Sequence, residues 1–241
     1  MFYLNLHNFQ FRELFGCKVT NSRDFVRMKL KSMEYLLTFW HGNEKIEPPY
    51  MCVDDEILHR VFLANDDGHK IISYGFEFLI KTYERDLNKT TNYITNYNYI
   101  GQKGVIGARE ISNALSILNT LTEPQSKLYW NLNIESNIPI SSIEFFEYIL
   151  QKEPGYIRYD DDIIGEKPLI HPRYHFDINF SFPVHYKIGL HRETHLNDII
   201  TALDINKECP MAELNPSKTY YVEKILLNKY KNMRKKNHKK R

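Results

Sequence analysis

Residues 175–182 read His-Phe-Asp-Ile-Asn-Phe-Ser-Phe, and this strict alternation limits what the chain can fold into more than any other stretch. A period of two places His175, Asp177, Asn179 and Ser181 on one face of a strand, with Phe176, Ile178, Phe180 and Phe182 on the other. After Pro183-Val184 the polar side resumes with His185 and Lys187, and the apolar side with Tyr186, Ile188 and Leu190. The segment from His171 to Leu190 is therefore expected to be an amphipathic β-hairpin whose apolar face is buried. Pairing Ser181 with His185 would set Asn179 against Lys187 and Asp177 against Gly189. The missing side chain at Gly189 would then leave space beside the carboxylate, with Asp177 and Lys187 as diagonal neighbours.

Helical periods appear elsewhere. Val26, Leu30, Met33, Leu37 and Trp40 recur at spacings of four and three, which predicts a helix over about 23–40 capped by Asn21 or Ser22. A second helix is expected over about 109–121, and a third over about 141–150 with a capping box Ser141-x-x-Glu144 and Ile140 stapled onto Phe145. A short helix over 196–203 and a last one from Asn215-Pro216 complete the set. Strands are expected within 1–12, 129–135 and 156–159. Residues 54–64 suggest a short helix, 71–86 fit helix or strand, and 87–107 suggest an exposed connection. The sum is an α+β fold, helices packed on a mainly antiparallel sheet, with a C-terminal helix fraying into a basic tail. Residues 1–228 are read as one domain and 229–241 as the tail.

Charge is divided unevenly. Residues 229–241 carry eight Lys and Arg and no acid, which leaves 24 basic against 30 acidic residues in the remainder. A uniformly basic nucleic-acid-binding surface is thus not supported, whereas a basic arm is. Its candidate contacts are Arg234, Lys235, Lys236, Lys239, Lys240 and Arg241. Cys17, Cys52 and Cys209 are odd in number and far apart, so neither a disulfide framework nor a zinc knuckle is indicated. No apolar run approaches the roughly 20 residues of a membrane span, and the first residues lack the pattern of a signal peptide. A cytoplasmic setting without a membrane is expected.

The hairpin supplies the chemistry. His175 can move protons near neutral pH, Asp177 can orient it, and Lys187 and Arg158 can hold a phosphate. His171, Asp160, Asp162 and His185 are further candidates. A solvated sheet face would use the same letters. His171-x-x-x-His175 has the spacing of a zinc pair on a helix, but an extended chain would separate the two by up to ~13 Å at ~3.3 Å per residue. No metal site is assigned and no cofactor is expected, although Asp160-Asp161-Asp162 with Asp177 could chelate a divalent cation.

Arg158-Tyr159-Asp160-x-Asp162, His171-Pro172-x-x-His175-x-x-Ile178, Lys187-Ile188-Gly189-Leu190 and an apolar helix through Ile199 and Leu203 follow one another in order. Over about residues 156–205 the chain resembles a family of uncharacterised bacterial proteins, a domain of unknown function found near mobile-element and phage-defence genes. Trp40-His41-Gly42 is similar to a segment nearer that family's start. The family tends to carry Arg and Pro where this chain has Lys187 and Gly189. The resemblance implies a bacterial defence or toxin setting. Two readings follow. One is an effector acting on nucleic acid, a phosphodiesterase or nuclease. The other is an accessory or adaptor subunit without activity of its own, which binds a protein partner encoded nearby and holds nucleic acid through its tail.

Overall fold

The computed structural model describes residues 1–16, 18–40, 47–86, 89–95, 105–120, 138–152, 154–167, 170–180 and 185–207, without the side chains of 82–86 and 89–93. They fall in two units, Met1–Leu196 and Asn197–Arg241. Among the described residues the first has an α+β fold of ten strands and four helices, a fifth beginning at its end. Strands β1 (Phe2–Asn5), β2 (Tyr50–Asp54), β3 (Arg60–Ala64), β4 (Lys70–Gly75), β8 (Ile157–Asp161), β9 (Tyr174–Ile178) and β10 (Tyr186–Gly189) form an antiparallel sheet in that order. Strands β5 (Leu79–Asp86), β6 (Lys89–Thr95) and β7 (Val105–Ile106) form a smaller antiparallel sheet.

Helices α1 (Asn8–Phe15), α2 (Ser22–Phe39), α3 (Ala108–Thr120) and α4 (Ile140–Gln151) enclose the core. The stripe along α2 is buried at Val26, Leu30 and Met33, and Asn21 caps its start by accepting the Asp24 amide at 2.9 Å. The helix is fixed to the large sheet by Phe25 edge-on to Tyr74 and by the Tyr74 hydroxyl bonded to Ser32 Oγ at 2.5 Å.

The register shows which residues share the helix-covered face. Leu4, Met51, Leu63 and Ile72 form one row across β1 to β4, and Phe2, Val53, Val61 and Tyr74 form the next. Paired residues point to the same side. The first row continues as Ile72, Arg158, Asp177 and Lys187, and the row on its other side runs Lys70, Asp160, His175 and Gly189. One face of one sheet is therefore apolar at β1 to β4 and ionic at β8 to β10.

Several expectations are corrected. The strand expected within 1–12 is present as β1, but the stretch also holds the start of α1. Residues 54–64 are a turn and β3, not a helix. Asp54 Oδ1 accepts the amides of Glu56, Ile57 and Leu58, and the β-branched and aromatic run that follows suits a strand. The segment 71–86 resolves into β4 and β5, and 87–107 contains β6 and β7 rather than only a connection. Helix α4 has Pro139 at its cap with no side-chain bond, so Ser141, expected as the cap, lies inside the helix, and Ile140, expected before the cap, is its first residue and 54% exposed. The expected strand at 129–135, the helix from 215 and the tail lie outside the described residues.

In the second unit, helix α5 (Leu196–Leu203), as expected over 196–203, leads to Asp204. Its carboxylate accepts the Asn206 amide at 3.0 Å.

Candidate functional site

The hairpin's partner strands are as expected, but their register is two residues away. Lys187 stands opposite Asp177, and Gly189 opposite His175. Because the slip is even, every side chain keeps its face. Gly189 does not open space beside the carboxylate. A Cβ there would stand 2.8 Å from Cγ of Pro172, whose ring occupies that place. The alternation also stops early. Asn179 adopts φ 61°, a left-handed conformation that Asn tolerates better than most residues. Phe180 consequently leaves the side of Phe176 and Ile178 and stacks on Phe25, edge-on to Tyr156. Ser181 and Phe182 lie outside the described residues.

Burial is the reverse of the expected sense. The polar residues His175 and Asp177 are buried, while Phe176 and Ile178 are half-buried and Tyr186 and Ile188 exposed. The physical reason is the shared face. The hairpin's polar side continues the sheet face that carries the core, so it is not an ordinary solvated face.

Asp177 is the hub. Its Oδ2 accepts Nη2 of Arg158, its Oδ1 meets Nζ of Lys187 at 2.9 Å, and Nε2 of His185 lies 3.3 Å from Oδ1. Arg158 also donates Nε to Asp160 Oδ2 at 2.6 Å, so one guanidinium holds both carboxylates. Burial pushes the Asp177 carboxyl up, but the Lys187 hydrogen bond and the charges of Arg158 and Lys187 outweigh it. The group is held below the usual carboxylate range. The Arg158 guanidinium is opposed by burial, yet Asp160, Tyr156 and Asp177 raise it further.

His175 is 1% exposed, and its Nδ1 lies 2.8 Å from the Pro172 carbonyl, which makes that nitrogen the donor. Its Nε2 faces Asp160 Oδ2 at 3.5 Å and Asp177 Oδ2 at 3.9 Å without a hydrogen bond. Asp177 therefore orients His185 and not His175. His171 packs edge-on against His175, ring centroids 4.7 Å apart. The chain between them is not extended, because a bend precedes β9 after the Lys167–His171 bridge. The separation that set the pair apart as metal ligands thus does not hold.

The aspartate triplet is dispersed. Asp160 points to the cluster. Asp161 points to the other face, where Arg173 clamps it through two bonds of 2.6 and 3.1 Å and His69 adds a third contact at 2.9 Å. Asp162 accepts the Gly165 amide at 2.8 Å and lies 3.8 Å from His171. Asp160, His175 and Asp177 have ligand atoms within 4.8 Å of one another, and so do His69, Asp161 and Glu193. In the first set Arg158 and Lys187 already neutralise both carboxylates, and in the second Arg173 holds the acid, so a divalent ion would compete with resident cations.

Lys70 was not legible as a site residue. It stands opposite Asp160 on β4, where burial and Arg158 lower its pKa while Asp160 and Asp177 raise it. Nothing in a sequence separation of 90 residues signals that pairing. Cys52 is buried, which pushes its thiol up to about 12 and makes it a poor nucleophile. The six basic candidates from Arg234 to Arg241 lie outside the described residues. Among the described residues no helix is long and apolar enough to cross a membrane. No protein-family model, curated protein or solved structure matches the chain.

Proposed function

We propose that this chain is a bacterial phage-defence or toxin-type component of the cytoplasm that acts on nucleic acid, with phosphodiester cleavage at the β8–β10 cluster. The observation that carries this reading is the His185–Asp177 pair. The imidazole is 39% exposed, and the carboxylate that orients it is 4% exposed and ionised. An oriented histidine at the surface can take a proton from an attacking hydroxyl or water and return it to the leaving oxygen. Lys187, 23% exposed and adjacent, supplies positive charge where the phosphate becomes more anionic. Arg158 fixes Asp177 and Asp160 from below. In this arrangement His185 takes the acid–base role, while buried His175 with Asp160 and His171 supports the cluster's inner end. The resemblance over residues 156–205, in whose recurring pattern Arg158, Asp160, His171 and His175 fall, supports the defence setting.

The test is cleavage of RNA and DNA oligonucleotides by purified protein. His185→Ala should lower the rate by about 10²-fold or more, whereas Tyr186→Ala should leave it unchanged. Full activity of His185→Ala would overturn the assignment.

A second reading has its own observation. Among the described residues strand β10 is an edge of the large sheet, and it exposes Tyr186 at 54% and Ile188 at 46%. Unpaired edge strands with apolar side chains accept a partner's strand. On this reading the chain is an accessory subunit bound to a protein encoded nearby. It predicts stable co-purification that Ile188→Lys abolishes, and no cleavage by the isolated chain.

A further inference from the structure

A second site lies away from the cluster, between α1 and α2. Phe9 and Glu13 are four apart on α1, and Lys31, Glu34 and Tyr35 recur at the i, i+3, i+4 spacing on α2, with Phe39 one turn beyond. The two stripes face each other across an open cavity of about 340 Å³. That is the lower end of the roughly 300–1,000 Å³ of small-molecule sites, large enough for a head group. Three rings meet there. Phe9 lies 6.1 Å from Tyr35 and 6.2 Å from Phe39, and Tyr35 lies 6.0 Å from Phe39, at interplanar angles of 87°, 70° and 57°. A triangle of this size lets one ion stand within about 6 Å of all three centroids, the range over which a ring face attracts a cation.

The charges beside the rings select the sign of the guest. Tyr35 donates its hydroxyl to Glu13. Lys31 bridges Glu34 at 2.9 Å and Glu13 at 3.6 Å. Two carboxylates and one ammonium leave a single negative charge at the aromatic cavity. Phe9 meanwhile keeps 54% of its surface in water although it touches two other rings. An apolar, weakly hydrated monocation satisfies these facts: it covers Phe9, reaches half-buried Phe39 and balances the charge. A bare ammonium fits less well, because it would give up strong hydration for ring faces.

We propose that the α1–α2 cavity binds a trimethylammonium head group, with Phe9 and Phe39 as its open walls, Tyr35, 3% exposed, backing them from the core, and Glu13 and Glu34 as the counter-charge. The site is independent of the His185–Asp177 pair and survives the failure of the cleavage reading.

Choline and its neutral isostere 3,3-dimethyl-1-butanol, titrated into the full chain by calorimetry or ligand-observed NMR, provide the test. Choline should bind, the isostere at least about tenfold more weakly, and Phe9→Ala should reduce choline affinity by about tenfold, in line with the loss of one cation–ring contact. Phe9→Trp should bind at least as tightly as the parent. Equal binding of choline and isostere, or choline affinity unchanged in Phe9→Ala, would overturn the proposal. Should Phe9→Ala fail to fold, Glu34→Gln takes its place: a several-fold loss is expected, and an unchanged constant sinks the idea. A trimethyllysine peptide run beside choline separates the two sources of this head group. Tighter binding of the peptide assigns a modified side chain, and tighter binding of choline a free small molecule.

Discussion

At Asp177 two cations and a histidine converge on one carboxylate that water scarcely reaches. Removing it leaves Arg158 and Lys187 facing each other across the gap. Breaking a buried ion pair from one side costs about 3–5 kcal/mol, and Asp177→Asn belongs near the lower figure because Arg158 and Lys187 keep 24% and 23% exposure. Urea unfolding at neutral pH would measure it. The pH dependence has a definite sign. The folded carboxyl titrates below its unfolded value of about 3.9, so its contribution is complete above about pH 4 and is lost as pH falls through the folded pKa. Parent protein should therefore lose stability steeply below pH 4, and Asp177→Asn less so. Equal acid limbs in the two proteins would remove Asp177 from the account. The alternation alone shows His175, Asp177, His185 and Lys187 on one face, but not Arg158, which stands on another strand. Their partners are not visible in it, because the choice between His175 and His185 depends on which ring the Pro172 carbonyl captures.

Strand β9 shows what a period of two can and cannot determine. Alternation fixes faces, so Asp177 and Lys187 share one in either register. It does not distinguish registers two residues apart, and the slip decided that Pro172, not open space, adjoins Gly189. Nor does alternation report where the strand ends. That is set by Asn179 at φ 61°, which turns Phe180 beneath α2. Asn179→Ala should lower stability by about 1 kcal/mol, the cost of placing an ordinary side chain in the left-handed region, and Asn179→Gly should lose less. Equal losses in thermal melts would mean that the Asn side chain, not the backbone, matters there. Helix α2 was legible to its cap because its stripe is local. Residues 54–64 were misread because Asp54 gathers three amides into a turn that imitates the start of a helix.

For the whole molecule the decisive fact is a face that changes character along a sheet. From β1 to β4 it carries Leu4, Met51, Leu63 and Ile72 under the helices, and from β8 to β10 it carries Arg158, Asp177 and Lys187. Strand order produces this, and β4 beside β8 brings together residues some 90 apart, which no local pattern encodes. Charge is distributed on the same scale. Residues 1–228 carry a formal −6 and residues 229–241 carry eight cations. If the chain holds nucleic acid, the acidic body repels it and the arm must supply the attraction. Each phosphate neutralised on duplex DNA contributes about −0.9 to the slope of log affinity against log salt, so an engaged arm gives a steep slope. Deleting 229–241 should therefore flatten that slope and weaken binding at low salt, as read by fluorescence anisotropy. His185→Ala should leave both unchanged, since it alters the chemistry and not the arm. A slope that survives the deletion would place the phosphate contacts on the body, with Lys70, Arg158 and Lys187 as the first cations to neutralise in its place.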